Sequence, residues 1–210
     1  MRIRHSVNGN SLKMYDKEGQ VLRVETTINH PRQFKVYRAS ETDAEQKLCW
    51  HRLRFGVADL WRRAEVSAAA NHRYLQALAS VTGSTPLGQE AEGVCRALIL
   101  KGKRYRALNP WTVEDGTLLE SISRGEFALN GLRNRDLRKL LYPLKRTTKV
   151  QQRRQAAAIT RRLALLRAHG LLRKVSGTHR YHLTSRGRRI VTALLAARNA
   201  DVDQLTKMAA

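Results

Sequence analysis

Apolar and polar residues alternate through the first forty residues of the chain, and turn-forming residues separate the runs. Asn8-Gly9-Asn10 and Lys17-Glu18-Gly19 are typical of hairpin turns, because Asn and Gly tolerate positive φ angles. The pattern predicts antiparallel strands at residues 3–7, 12–15, 21–28 and 34–37. The core face of this sheet would comprise Leu12, Met14, Leu22, Val24 and Ile28. The outer face would carry Lys13, Tyr15, Lys17, Arg23, Glu25 and Thr27.

The spacing of apolar residues then changes to that of a helix. After a polar connection at residues 40–52, residues 57–81 predict a long amphipathic helix. Its expected buried stripe comprises Val57, Leu60, Trp61, Ala64, Ala68, Leu75, Leu78 and Val81. We also expect Trp50 in the core, and Asp59 and Glu65 on the solvent side. Residues 83–110 indicate a linker, with a basic hairpin around Lys101-Gly102-Lys103.

The last hundred residues predict a helical module that ends in a hairpin and a further helix. Thr112 is a good N-cap for a helix over residues 113–123, and Asn134 for one over residues 135–142 that Pro143 ends. A third helix is predicted over residues 151–169, ended by Gly170. The predicted fold is therefore α+β: a small antiparallel sheet with a long helix in residues 1–82, the linker 83–110, and a nucleic-acid-binding domain in residues 111–210.

Positive charge is concentrated in this last module. The chain of 210 residues has a formal net charge of +23, and residues 131–190 hold 18 Lys or Arg but one acidic residue, Asp136, which leaves +17. A basic surface on one module is typical of a protein that binds a polyanion. We find neither a signal peptide nor a run of apolar residues long enough for a membrane span. Cys49 and Cys95 are expected to be buried thiols in a reducing cytoplasm, which, with the charge, favours a nucleoid-associated location.

The third helix carries the strongest indication of function. Ala156, Ile159, Leu163 and Leu166 lie along one side and are expected to be core. The opposite side presents Arg154 and Arg161 among small residues, which are Ala157, Ala158, Ala164 and Ala168. Small side chains allow a helix to enter a major groove deeply, and arginine then reaches phosphates or guanine edges with two hydrogen bonds. Arg153 and Arg162 flank this side and suit backbone contacts.

The string RRLALLRAHGLLRKVSGTHRYHLTSRGRRI resembles the recognition helix, wing and following helix of winged helix-turn-helix proteins, including MarR-like regulators. The resemblance covers about residues 111–198. It implies that the third helix enters the major groove while the wing approaches a neighbouring groove or the DNA backbone. The residues expected to bind DNA are Lys145, Arg146, Lys149, Arg153, Arg154, Arg161, Arg162, Arg173, Lys174, His179 and Arg180.

The string SLKMYDKEGQVLRVETT resembles the tyrosine-lysine motif with a downstream Arg-x-Glu of rolling-circle replication initiators. The resemblance implies that Tyr15 attacks a DNA phosphate, that Lys17 and Arg23 contact phosphate, and that Glu25 helps to hold a divalent metal. Those enzymes have many residues before the tyrosine and this chain has fourteen, so it resembles the C-terminal part of a longer bacterial or mobile-element protein. The alternatives are a cross-strand ladder of one hydrogen bond and one ion pair, or a non-catalytic sheet that contacts DNA.

The function predicted from these observations is binding of double-stranded DNA, in a regulatory or mobile-element role. The alternatives are the DNA-recognition part of a nickase or nuclease that uses Tyr15, and a protein that binds structured RNA. Non-enzymatic binding is favoured, without a cofactor or resident metal unless the nickase interpretation holds. His179 and His182 would point to opposite faces of a strand and would not chelate a metal. Leu194, Leu195, Val202 and Leu205 on the last helix would form a homodimer or cover the chain's own long helix.

Overall fold

The computed structural model describes residues 2–42, 45–79, 85–143 and 147–203, and its fold is α+β. The chain divides into two compact units. The first unit comprises Met1–Leu75 with Ala128–Asn130, and the second comprises Gln76–Phe127 with Gly131–Ala210. No helix in the described part of the chain is long and apolar enough to cross a membrane.

The first unit begins with the antiparallel meander that the alternation predicts. Strands β1 (Arg2–Val7), β2 (Asn10–Lys17) and β3 (Val21–Thr27) pair in that order. The first turn requires glycine at Gly9, because its φ is +79° and an added Cβ would lie 2.1 Å from the ring of His30. The register places Tyr15 opposite Arg23 and Lys13 opposite Glu25, so the turn chemistry had specified the pairing correctly.

A second hairpin follows, and only its first strand was predicted. Strand β4 (Lys35–Arg38) pairs with β5 (Cys49–Arg52), which lies inside the segment expected to be a connection. The prediction that Trp50 is core is wrong: its ring packs on Tyr37 across the hairpin, with 5.3 Å between centroids, and 53% of the residue remains exposed. The expectation of two buried thiols is also wrong, since Cys49 and Cys95 are both exposed.

The long helix α1 (Leu60–Ala79) is present, but the prediction of its buried face is wrong. Ala70 and Tyr74 face the core of the unit, whereas the expected stripe faces outward. The exposed members of that stripe are Val57, Leu60, Trp61, Ala64, Ala68, Leu75 and Leu78. Val81 lies outside the described residues.

Polar contacts explain which face of α1 is turned to the sheet. The Asn71 side chain accepts a hydrogen bond from the Thr26 hydroxyl at 2.7 Å and donates one to the Val24 carbonyl at 3.1 Å. One turn further on, the Tyr74 hydroxyl lies 3.2 Å from His5 Nε2. Because these contacts fix the rotation of the helix, small Ala70 meets the core, which also contains Leu12, Met14, Phe34, Val36, Leu53, Ala128 and Leu129. Leu22, expected to be core, is more than half exposed near the start of β3.

Asp59 was expected to face solvent and is instead buried, at 1% exposure. Arg54 donates to its carboxylate from Nη2 at 3.0 Å and from its backbone N–H at 2.8 Å, and Arg38 lies 3.6 Å away. These hydrogen bonds from Arg54 hold the pKa of Asp59 below its ordinary value. Glu65 is exposed as predicted.

Residues 85–110, which the sequence indicated as part of a linker, belong to the second unit and contain regular secondary structure. Helix α2 (Leu87–Cys95) precedes strands β6 (Leu98–Leu100) and β7 (Lys103–Tyr105), which form the basic hairpin that was predicted. Helix α3 (Val113–Ser123) has the predicted bounds. The short helix α4 (Phe127–Asn130) was not predicted, and its residues Ala128–Asn130 belong to the first unit. The remaining elements are α5 (Asn134–Leu141), α6 (Lys149–Ala168), β8 (Leu172–Lys174), β9 (Tyr181–Leu183) and α7 (Ser185–Asn199).

Side-chain caps define most of these helix ends. Thr112 caps α3, as predicted. Thr148 and Gln151 cap α6 reciprocally, so this helix begins two residues earlier than predicted, and Gly170 with φ of +72° follows its end. The predicted cap of α5 is wrong: Arg133 is the N-cap, and its N–H donates to Asp136 Oδ2 at 2.9 Å. Asn134 instead donates to the Ala156 carbonyl at 2.8 Å and thereby ties α5 to α6.

The core of the second unit contains three of the four residues predicted as the buried stripe of α6, and the fourth, Ala156, is half-buried. Ile159, Leu163 and Leu166 are buried, with Leu118, Leu119, Ile122, Leu137, Leu171, Ile190, Val191 and Leu194. The β8–β9 hairpin joins the segment before α5 through a pair of 2.9 Å hydrogen bonds between Leu132 and Tyr181.

The residues predicted to form a dimer surface on the last helix differ in exposure. Leu194 is buried and belongs to the core rather than to a dimer surface, while Leu195 is half-buried and Val202 is exposed. Leu205 lies outside the described residues.

Candidate nucleic-acid interface

Helix α6 presents a cationic side that is turned away from its buried stripe. Lys149, Arg153, Arg154 and Arg161 are all exposed, and the helix contains no acidic residue. Ala157 between them is exposed as well, so the first half of the helix is open to an approaching surface. Packing of Ile159, Leu163 and Leu166 against the core fixes this orientation. Arginine in this setting suits phosphate and guanine, to both of which it can donate two hydrogen bonds.

The second half of α6 is less open than the sequence predicted. Ala158, Ala164 and Ala168 are half-buried, whereas all three were expected on the groove-facing side. Arg162 is also half-buried, with 19% of its side chain exposed, and pairs with Glu114. Its guanidinium lies 6.0 Å from the ring centroid of Tyr142. Arg162 therefore has structural partners, in contrast to the exposed arginines of the first half.

A basic cleft explains the difference between the two halves. The β6–β7 hairpin faces the second half of α6 across a cleft of about 410 Å³, which Ala158, Ala164 and Leu165 line from the helix. Its charged lining residues are Lys103, Arg104, Arg106, Glu114, Arg161 and Arg162. Five cations against one carboxylate leave this cleft strongly electropositive.

A buried ion pair holds one wall of the cleft. Arg106 donates from Nη1 and Nη2 to the two oxygens of Asp115, each at 2.6 Å, and Asp115 is 2% exposed. Burial by itself would raise the pKa of Asp115, but the hydrogen bonds from Arg106 and from the Asn109 N–H at 2.9 Å lower it below its ordinary value. The Arg106 carbonyl accepts a hydrogen bond from His169 Nε2 at 2.8 Å, which connects β7 to the end of α6.

The β8–β9 hairpin contributes a third set of basic side chains. Arg173, Lys174 and His179 are exposed, as a role in binding an external polyanion requires. Arg180 differs from the expectation, because it is buried at 6% exposure where the turn of the hairpin leads into β9. Its carbonyl accepts a hydrogen bond from the Val175 N–H at 2.9 Å. Lys145 and Arg146 lie outside the described residues.

The structure brings three of the four residues of the tyrosine motif together on the outer face of the meander. The Tyr15 hydroxyl donates to Glu25 Oε1 at 2.9 Å, and Arg23 Nη2 donates to the same oxygen at 2.7 Å. The Arg23 guanidinium also lies 5.8 Å from the centroid of the Tyr15 ring. Lys17 is exposed opposite Val21 at the end of β2.

This arrangement matches the ladder of one hydrogen bond and one ion pair. The hydrogen bond to Glu25 raises the pKa of Tyr15, which is the opposite of the change that activates a phenol as a nucleophile. Within the residues described, no group of three or more His, Cys, Asp or Glu side chains is placed to hold a metal ion.

No protein-family model, curated protein or solved structure matches this chain. The sequence patterns did not assign Lys103 and Arg104 to the basic surface. Their basic hairpin was visible in the sequence, but its position beside a helix more than forty residues away was not.

Proposed function

We propose that the second unit binds double-stranded DNA as a winged helix, with α6 in the major groove and the β8–β9 hairpin as the wing. The order of elements supports this proposal: α3, α5 and α6 are followed by a hairpin and a final helix. The bridge between Leu132 and Tyr181 adds a third segment to the wing hairpin and holds it beside the helices.

The observation that carries the proposal is the open first half of α6. Arg153 and Arg154 are exposed in a helix without acidic residues, and small Ala157 follows one turn later. A helix of this kind fits the width of the major groove, and each arginine can reach a phosphate or the O6 and N7 atoms of guanine. We assign groove contacts to this half, because the β6–β7 hairpin faces the other half.

Wing contacts complete the proposed interface. Arg173, Lys174 and His179 are exposed on the hairpin and suit contacts to the DNA backbone, which orient a protein without reading sequence. Buried Arg180 is not assigned a contact. Most of the binding affinity would come from the neutralisation of DNA phosphates, so the affinity would fall steeply as the salt concentration rises. A regulatory or mobile-element role in the nucleoid follows from this proposal.

The experiment that tests the function is selection from randomised duplex DNA by the full chain, followed by sequencing. Parallel titrations use single-stranded DNA and a folded RNA, with and without Mg²⁺. We expect a recovered duplex motif and weaker binding to both controls. Tighter binding to the folded RNA than to every selected duplex would contradict the proposal and favour RNA as the partner. A motif with two-fold symmetry would indicate a dimer on DNA.

A further inference from the structure

The cleft between the β6–β7 hairpin and the second half of α6 contains more cations than its ion pairs neutralise. Arg106 pairs with Asp115, and Arg162 pairs with Glu114. For the other three cations of the cleft, Lys103, Arg104 and Arg161, no ion pair with a carboxylate is found among the described residues. All three are exposed toward solvent, so the cleft holds three cationic groups that remain available to a ligand.

The walls of the cleft are held in place by buried contacts, which distinguishes it from a run of mobile surface charges. Asp115 fixes the Arg106 guanidinium through two hydrogen bonds of 2.6 Å. His169, 2% exposed at the end of α6, holds the Arg106 carbonyl, and the Leu108 N–H donates to the Val94 carbonyl at 3.0 Å. The backbone that follows β7 is therefore attached both to α6 and to α2. Cations held on fixed backbone lose less freedom when they bind a ligand.

The chemistry of the cleft favours phosphate. Two available guanidiniums, Arg104 and Arg161, can each donate two hydrogen bonds to phosphate oxygens, and Lys103 adds a compact charge beside Tyr105. A volume of about 410 Å³ is large enough for more than a single ion. The cleft adjoins the open first half of α6 along the same helix.

We propose that this cleft is a phosphate-binding site that holds the phosphodiester backbone of the DNA flanking the segment bound by α6. The inference rests on the proposed function, because it assumes that the first half of α6 lies on duplex DNA. It adds Lys103 and Arg104, which lie outside the helix-and-wing module, to the DNA-binding surface. The same phosphate chemistry is present in free polyphosphates, so the test has one experiment for each source.

The first experiment measures binding of inorganic tripolyphosphate to the full chain by calorimetry at low salt. Arg104→Gln with Arg161→Gln removes two cleft cations, and Arg153→Gln with Arg154→Gln removes the same charge from the open half of α6. We expect the first pair to weaken binding at least about tenfold and the second by less than about threefold. Equal losses, or no binding by the unaltered chain, would overturn the assignment of a site.

The second experiment measures binding to a long duplex as a function of salt. Lys103→Gln with Arg104→Gln should weaken binding and reduce the slope of log K against log salt by about 1.8, because each lost phosphate contact accounts for about 0.9. Tripolyphosphate binding by this same variant is measured as well. If it is lost while the slope for the duplex is unchanged, the DNA backbone is overturned as the ligand in favour of a free polyphosphate.

The two proposals fail in different ways. If the unaltered chain binds tripolyphosphate in the cleft but no duplex, the proposed function is contradicted, and so is the DNA backbone as the ligand, while the phosphate site stands. If Arg153→Gln with Arg154→Gln abolishes duplex binding and the cleft variants leave both ligands unaffected, the function stands and the cleft proposal is contradicted. All three pairs of substitutions are at exposed positions, so circular dichroism should report an unchanged fold.

Discussion

Asp115 is buried against Arg106 and accepts two hydrogen bonds of 2.6 Å from its guanidinium, across the loop that joins β7 to α3. The pair holds the backbone beside the basic cleft, since the Arg106 carbonyl in turn binds His169 at the end of α6. One carboxylate therefore connects the hairpin, α3 and α6. Removal of this carboxylate should affect both stability and the cleft.

Asp115→Asn should destabilise the second unit by about 2–3 kcal/mol at neutral pH, because a buried charge pair loses one partner. The pKa of Asp115 is lower in the folded chain than in the unfolded chain, so its contribution is complete above the unfolded value of about 3.9. It is lost as the pH falls through the folded pKa. Urea unfolding of the unaltered chain and of Asp115→Asn, at neutral pH and near pH 3, measures the difference in their free energies of unfolding. This difference should shrink in acid, and a difference that grows in acid would contradict the assignment.

Ala70 and Ala68 test the orientation of α1, because the sequence predicted the wrong face. Ala70 is completely buried and Ala68 is exposed. Ala70→Leu should cost about 1–3 kcal/mol of stability through overpacking. Ala68→Leu adds the same volume at an exposed position and should change stability by less than about 0.5 kcal/mol. Thermal unfolding measures both, and the reverse order of the two effects would contradict the observed face.

Gly187 in the first turn of α7 should not tolerate a side chain. A Cβ at this position would lie 2.2 Å from the Leu171 carbonyl oxygen and 2.7 Å from its Cα. Gly187→Ala should therefore destabilise the second unit by about 1–3 kcal/mol. Gly88→Ala in α2, where an added Cβ meets nothing within 4 Å, is the matched control and should be neutral or stabilising. Equal stability of the two variants would contradict the packing of α7 on Leu171.

Tyr15 should titrate at lower pH when its hydrogen-bond acceptor is changed. Glu25 raises the pKa of Tyr15 by its hydrogen bond, so Glu25→Gln should lower that pKa. Ultraviolet absorbance of the phenolate measures the titration, and Tyr15→Phe identifies which of the six tyrosines is responsible. We also expect Tyr15→Phe to leave duplex binding unchanged. A covalent DNA adduct formed by the unaltered chain with Mg²⁺, and lost in Tyr15→Phe, would contradict the ladder interpretation.

Local patterns in the sequence predicted those parts of the fold that local chemistry determines. Asn8 and Gly9 specified the first hairpin, Thr112 the start of α3, and the spacing of Ile159, Leu163 and Leu166 the core face of α6. In each case, the residues that determine the structure lie within about two helical turns of one another along the sequence.

Long-range polar contacts account for most of the errors. The rotation of α1 depends on hydrogen bonds between Asn71 and a strand forty-five or more residues away, and apolar spacing alone favoured the opposite face. Asp59 was expected to face solvent on the long helix, but Arg54, five residues before it, and Arg38 on β4 lie against its carboxylate. Arg180 was assigned to the DNA-binding surface by the winged-helix resemblance, although the folded chain buries it. The cleft was missed because Lys103 and Arg161 meet only in the folded unit.

We propose that the open first half of α6 binds duplex DNA. The salt dependence of duplex binding, measured for the unaltered chain and for Arg153→Gln with Arg154→Gln, tests this proposal. Lys47→Gln with Arg52→Gln, two exposed cations of the first unit, removes the same charge as a control. We predict that the α6 variant binds about 10–100-fold more weakly, with a slope reduced by about 1.8, and that the control is nearly unchanged. Equal binding by the two variants would contradict the claim.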